Sequence, residues 1–256
     1  MSDEAAPPAS GFFTELSLAF SFLTILPVVD RRPASDETVA ASFAWFPIVG
    51  FILGVALIGE DRLLAYVFPQ VIRSVLIVIS LTVITGAVHL DGLADTADAL
   101  GAGRDRDRAL DIMRDSRVGT FGASAIFFDL ALKILALSTL VGHRRYAALI
   151  VAPMLARWAM LLVSRGLPYL RESGAGSTLL NSESKSVGPR AAVVAAFTLA
   201  VILMLGTLRA TAVAIAIVLA MRSFYQRWLG GVTGDLIGAC GELVEIAVLV
   251  TISSIA

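Results

Sequence analysis

The sequence is short of the residues that soluble enzymes use for metal clusters, crosslinks and surface charge. It has one cysteine, Cys240, and two histidines in 256 residues. A single cysteine excludes an intramolecular disulfide and a cysteine metal cluster, and Cys240, set between small residues, reads as a packing residue. Charged side chains make up 16% of the chain, well below the about 25% of an ordinary soluble domain. The net charge is −1 and the charges are segregated along the chain, so there is no basic surface for nucleic acid. The opening MSDEAAPPAS lacks a basic n-region, and no cleavable signal peptide is expected. There is also no convincing internal repeat or low-complexity segment.

Apolar sequence fills the space. Hydrophobic residues reach 57% and the mean hydropathy is +0.83, values of an integral membrane protein. The expected fold is an all-α, polytopic helical bundle forming one membrane domain. It has about six to seven transmembrane helices and an N-terminal interfacial or re-entrant helix.

That first helix, residues 12–27, is short, carries Glu15 and ends at Pro27, and is expected to lie at the surface. Spans follow at roughly 43–59, with Trp45 at an interface and Pro47 at a kink, and at 71–88. A third span runs from Gly119 to about Val141 and holds Asp129 and Lys133, an i, i+4 pair expected to face inward and bind each other. The fourth, 146–164, carries Arg157, which must meet a carboxylate or an anionic ligand.

Residues 165–190 form a polar loop of lid length. The next apolar run, 191–221, has 31 residues. As one helix it would span about 46 Å, too long for a ~30 Å hydrocarbon layer, so a tight hairpin with Arg209 at its tip is expected. The last span starts at Asp235, after Gly230, Gly231 and Gly234, and contains Glu242 and Glu245.

The informative stretch is His89 to Gly122, with seven aspartates and five arginines between apolar flanks. On a helix Asp91, Asp95 and Asp98 fall at i, i+4 and i+7, stacking three carboxylates on one face. Like charges so placed repel unless a cation bridges them. Oxygen-only donors suit a hard ion, Mg²⁺ or Mn²⁺. Arginines nearby favour a phosphate-bearing substrate. The plainer alternative is a solvated polar loop, which suits the run Arg104 to Arg108. With the N-terminus inside, thirteen basic residues lie in inner segments and five in outer ones. This places residues 89–118, 165–190 and 222–235 on the cytoplasmic side.

At HLDGLADTADAL followed by RDSRVGTFG the chain resembles the cobalamin synthase family, adenosylcobinamide-GDP ribazoletransferase. The likeness extends through FLTILP, WFPIVG, ARW at 156–158, RESGAGS and GGVTGDLIGACGELVE, and so covers almost the whole length. The family's usual loop core would be glycine-leucine-glycine, where this chain has Gly174, Ala175 and Gly176.

The resemblance implies Mg²⁺-dependent displacement of GMP from adenosylcobinamide-GDP by α-ribazole or its 5′-phosphate, in a bacterial cytoplasmic (inner) membrane. The lipid bilayer is then the protein's constant partner, and a homo-oligomer is left open. On that reading Asp91, Asp95 and Asp98 bind the metal, with Asp115 as a fourth ligand. Arg114 and Arg117 clamp the diphosphate. Gly119 and Gly122 let helix amides approach phosphate. His89 is a candidate general base, weighed equally against a structural histidine, and Asp235 is its rival as base or as a second-site ligand. Arg157, Arg171, Gly231, Gly234, Glu242 and Glu245 are assigned to the substrate side, although the two glutamates also suit a simple role as partners of Arg157.

Two other readings share these residues. A CDP-alcohol phosphotransferase or prenyltransferase would keep the metal and the diphosphate, but Thr96 stands near where the former needs an arginine. A secondary transporter would use Asp129, Arg157, Glu242 and Glu245 as an ion path, with no need of the aspartate loop.

Overall fold

The structure is a computed structural model that describes residues 11–27, 35–171 and 187–254. Among the described residues it is all-helical apart from one isolated bridge between Tyr169 and Val232. The order is α1 (Phe12–Leu23), α2 (Asp36–Phe43), α3 (Phe46–Leu64), α4 (Gln70–Ile84), α5 (Val88–Ala99) running into a 3₁₀ turn (Leu100–Ala102), α6 (Arg106–Ile112) and α7 (Thr120–Thr139). There follow α8 (Gly142–Ser164), α9 (Val187–Leu205), α10 (Leu208–Trp228) and α11 (Gly234–Ser253).

Five helices, α7 to α11, are long and apolar enough to cross a membrane. The pairs α2–α3 and α4–α5 meet the same test only as bent units, with angles of 53° and 89°, which gives up to seven spans. The chain is a multi-pass helical membrane protein.

The centre is built from α8 and α11, buried over 78% and 67% of their apolar windows, while α7, α9 and α10 turn most of their surface outward. Tight helix contact explains the choice of small residues there. Gly50 and Gly54 stand one turn apart on α3, and a Cβ on either would lie 2.4–2.5 Å from the backbone oxygens of Pro153 and Leu149 on α8. Without hydrophobic drive between helices in lipid, such close backbone approach supplies the van der Waals contact that holds them.

Several boundaries differ from those read from the sequence. The first helix stops at Leu23, before Pro27, and Glu15 is fully buried, where it accepts from Trp45 Nε1 (2.9 Å) and Arg190 Nη2 (2.7 Å). Its carboxylate therefore ties α1 to the bundle, while Phe13 on the opposite side is 82% exposed. The break expected at Pro47 lies just before it, between α2 and α3, and Pro47 sits in the first turn of α3 where its missing N–H costs nothing.

The run 191–221 is two helices joined at Gly206 and Thr207, with Arg209 in the first turn of the second. Each helix extends past the apolar run into polar residues, which gives both the length to cross. Cys240 is buried and unbonded among packed helices, as expected. The basic residues Arg31, Arg32 and Lys185, the N-terminal 1–10 stretch and the RESGAGS loop beyond Arg171 lie outside the described residues.

Candidate active site

The site begins where α4 ends. Gly86 and Ala87 both take left-handed backbone angles, φ +63° and +55°, and turn the chain through 89° into α5. A non-glycine residue there is strained, and the turn is held by bonds from Ala87 N to Thr82 O (2.9 Å) and from Ile25 N to Ile84 O (2.8 Å). The sharp turn directs α5 across the end of α11 instead of along the span. Asp91, Asp95 and Asp98 then line its outward face, with Asp91 exposed and the other two half-buried.

The opposite face of α5 lies on α11 through glycines. A Cβ on Gly92 would stand 2.8 Å from Asp235 O and 2.9 Å from its Cα, and one on Gly238 would meet His89 Cα at 3.2 Å. Backbone contact at this range puts Asp235 beside the α5 aspartates. The two polar elements that are far apart in sequence, 89–118 and 222–235, thus meet at one end of the bundle.

A short extended segment completes the rim. Leu170 N donates to Val232 O and Val232 N to Pro168 O, each at 2.9 Å, and Gly231 leaves room for Pro168 O, which a Cβ would approach to 2.3 Å. This pins Arg171 over Asp235, with Nη2 to Oδ2 at 2.5 Å and a second bond to Met113 O at 3.0 Å. Tyr169 lies beside the Gly234 amide, and burial pushes its phenol upward. Trp228 Nε1 donates to Gly103 O at 2.9 Å, which fastens the loop after α5 to α10. Neither Tyr169 nor Trp228 stood out in the sequence, because nothing local shows that residues 168–170 pair with Val232.

Electrostatically the site is crowded. Partial burial, then repulsion from Asp91 and Asp235, raise the Asp95 carboxyl to about 7, with Arg171 opposing and Asp98 adding to the shift. Asp98 is also engaged by backbone. Its Oδ2 accepts from Gly119 N (2.7 Å) and its Oδ1 from Gly122 N (2.9 Å), so it caps α7. A Cβ on Gly119 or Gly122 would fall 2.5 or 2.3 Å from that carboxylate. The two amides expected to approach phosphate are occupied by Asp98.

The loop charges pair locally. Arg117 binds Asp115 (2.5 Å) and Arg114 binds Asp111 (3.2 Å), with Asp115 half-exposed and the other three well exposed, and the Arg117 bonds hold the Asp115 carboxyl below the usual range. His89 is buried against α11, under the electrostatic influence of Arg157, Glu245 and Lys133, rather than on the carboxylate face. Glu242 and Glu245 bind Lys133, and Glu245 also takes Arg157 at 3.0 Å. These residues form an interior network, away from the Asp235–Arg171 rim.

The donors at the rim are carboxylates only. Among the described residues no group of three His, Cys, Asp or Glu side chains is drawn together closely enough to hold a metal ion by itself. Magnesium needs less than that, being commonly bound by one or two carboxylates with water and substrate phosphate completing its shell. The surplus of negative charge around Asp95 is the feature that fits such a cation.

The chain matches the cobalamin-5-phosphate synthase family over residues 15–253. A protein of Syntrophobacter fumaroxidans named adenosylcobinamide-GDP ribazoletransferase is 38% identical over 93% of this chain and 97% of its own. Proteins of the same name from Geotalea daltonii and Roseiflexus sp. are each 36% identical, over 93% and 95% of this chain and 96% and 90% of theirs. No solved structure matches. A match running from Glu15 in α1 to Ser253 at the end of α11, through both halves of the carboxylate site, leaves one conclusion: the chain belongs to the cobalamin-5-phosphate synthase family.

Proposed function

We propose that the chain displaces GMP from adenosylcobinamide-GDP with α-ribazole or α-ribazole 5′-phosphate, yielding adenosylcobalamin or its 5′-phosphate. As a member of its family it is a transferase of cobalamin synthesis. The reading of its substrates rests on the relatives' names. One observation carries the mechanism: the α5 aspartates, Asp235 and Arg171 converge at one end of the bundle, with Asp95 pushed to about 7 by partial burial and then by the carboxylates around it.

In the reaction a ribazole hydroxyl attacks the phosphorus that bears the cobinamide, the bond from that phosphorus to the GMP oxygen breaks, and GMP leaves. Asp91 and Asp95 are the proposed holders of Mg²⁺, with Asp98 contributing whatever its capping bonds leave free. Bound there, magnesium supplies charge neutralisation on the diphosphate. Arg171, already poised over Asp235, binds the transferring phosphoryl group, and Arg114 and Arg117 lie on the loop where the diphosphate enters.

The hydroxyl proton goes to Asp235, which is favoured over His89 because it borders the carboxylate face while the imidazole is packed against Gly238. No covalent intermediate is needed. The active face is assigned to the cytoplasmic side of a bacterial inner membrane, from the excess of arginine in the segments that meet there.

The test is GMP release from adenosylcobinamide-GDP by the purified protein in detergent, with α-ribazole and Mg²⁺. Release that disappears with EDTA, returns with Mg²⁺ and is lost in Asp91→Asn is expected. Release indifferent to EDTA would remove the metal from the reading, and no release with either ribazole substrate would remove the substrates.

A further inference from the structure

The interior network contains more negative charge than its partners can balance. Lys133 on α7 binds Glu242, stands 3.0 Å from Asp129 and 3.1 Å from Glu245, and Arg157 on α8 binds Glu245 at 3.0 Å. Among the described residues, three carboxylates face two fixed cations. Every member is buried, with Asp129 at 1% and Arg157 at 2% exposure. An uncompensated charge in such a place is among the costliest features a membrane protein can hold.

The three carboxylates are not equal. Glu242 accepts a hydrogen bond from Lys133, and Glu245 accepts one from Arg157. Asp129 is the least supported: among the described residues its one cationic neighbour is Lys133, 3.0 Å from Oδ2 and shared with both glutamates, and neither of its oxygens accepts a well-aligned hydrogen bond. A water-sized cavity of about 10 Å³ borders the network, lined by Lys133, Arg157, Glu242 and Glu245 together with Thr82 of α4 and Thr85 just after it. A metal ion is no alternative occupant, since Lys133 fills the point where the carboxylates converge.

We infer that this network is a proton-binding site within the membrane layer, and that the proton resides on Asp129. With its lysine shared among three carboxylates, a neutral Asp129 carboxyl is far less costly there than a third buried negative charge. The remaining groups then balance, with Lys133 and Arg157 against Glu242 and Glu245. His89, the titratable group that α5 packs against this cluster, is not needed for the count. The site is separate from the proposed phosphoryl transfer and uses none of its residues.

Infrared difference spectroscopy on the full-length protein in lipid nanodiscs tests it. Wild type minus Asp129→Asn is expected to show the carbonyl stretch of a neutral carboxylic acid, shifting in D₂O. Taking this difference leaves out the Asp95 carboxyl, which both proteins share. Asp129→Asn, replacing one neutral group by another, should keep its melting temperature, whereas Glu245→Gln should lose several degrees. Absence of the acid band in the difference spectrum overturns the inference, as does a band that survives Asp129→Asn and vanishes in Glu242→Gln. A melting temperature of the wild type that rises with added Na⁺ at fixed ionic strength would also overturn it, by showing a cation in the proton's place.

Discussion

Gly92→Ala tests the geometry of the site with one methyl group. Its Cβ would be 2.8 Å from Asp235 O and 2.9 Å from Asp235 Cα, and both are backbone atoms that cannot swing aside. Ordinary contact begins at 3.4 Å, so α5 must retreat from α11 by about 0.6 Å, the difference between 3.4 and 2.8. Overpacking of this kind costs about 1–3 kcal/mol. For a chain of this size that corresponds to a fall in melting temperature of roughly 2–4 °C per kcal/mol.

The same movement separates Asp91 and Asp95 from Asp235 and Arg171. If these groups act together on one diphosphate, misplacement by a large part of an ångström should lower kcat by tens to about a hundredfold, the scale on which reacting groups depend on position. The assay is GMP release at saturating Mg²⁺, beside thermal unfolding of the same sample. Gly238→Ala, at 3.2 Å from His89 Cα, should give a milder version of both effects. Gly59→Ala, with nothing within 4 Å, should give neither. A Gly92→Ala protein with wild-type kcat and a lowered melting temperature would refute the claim that the two polar elements work as one site.

Five further outcomes follow from the same geometry. Asp98→Ala removes both acceptors that cap α7 and should cost about 1 kcal/mol of stability, with Asp98→Asn recovering part of it by thermal unfolding. Ionisation of Asp95 falls as pH drops through about 7, so the Mg²⁺ concentration for half-maximal GMP release should rise about tenfold per pH unit below that point; a flat profile would exclude Asp95 as a ligand. Without metal, the raised carboxyl binds protons better folded than unfolded, so its contribution to stability is present in acid and is lost as pH rises through about 7. Arg117→Ala should raise KM for the GDP substrate and leave the melting temperature unmoved, since its partner Asp115 is a half-exposed neighbour in the same loop. Lys133→Ala leaves buried carboxylates facing each other and should cost about 3–5 kcal/mol, preventing recovery of folded protein from membranes.

Periodicity and apolar length were enough to identify α7 and α8, because a continuous apolar run of about twenty residues has few other uses. The i, i+4, i+7 aspartates likewise marked α5 before any fold was known. What sequence spacing could not show was the 89° turn at Gly86 and Ala87, which depends on a left-handed alanine held by its neighbours. Nor could it show the division of labour within the aspartate row. Asp98 is bound to cap α7 because the chain returns to it twenty-one residues later, a contact invisible to local pattern. The Asp129–Lys133 pair was legible as i, i+4, but the glutamates that join it come from a helix more than a hundred residues away.

The fate of Glu15, Glu242 and Glu245 shows why charge in an apolar sequence is an incomplete guide to function. All three are buried carboxylates, and each is bound by arginine or lysine from another helix. In a bilayer such pairs hold helices in register, since a wrong register would leave a charge bare in hydrocarbon. The aspartates of α5 differ in a way that charge alone does not reveal. Apart from Arg171 on Asp235, no basic side chain is bonded to the carboxylates of Asp91, Asp95, Asp98 and Asp235 among the described residues, and they stand at the surface end of the bundle where a soluble anion and its cation can arrive. The distinction between the interior and the rim carboxylates in this protein is therefore one of compensation: the interior ones are nearly neutralised on folding, whereas Asp91 and Asp95 at the rim have no basic side chain bonded to them among the described residues, a deficit that the proposed cation would offset.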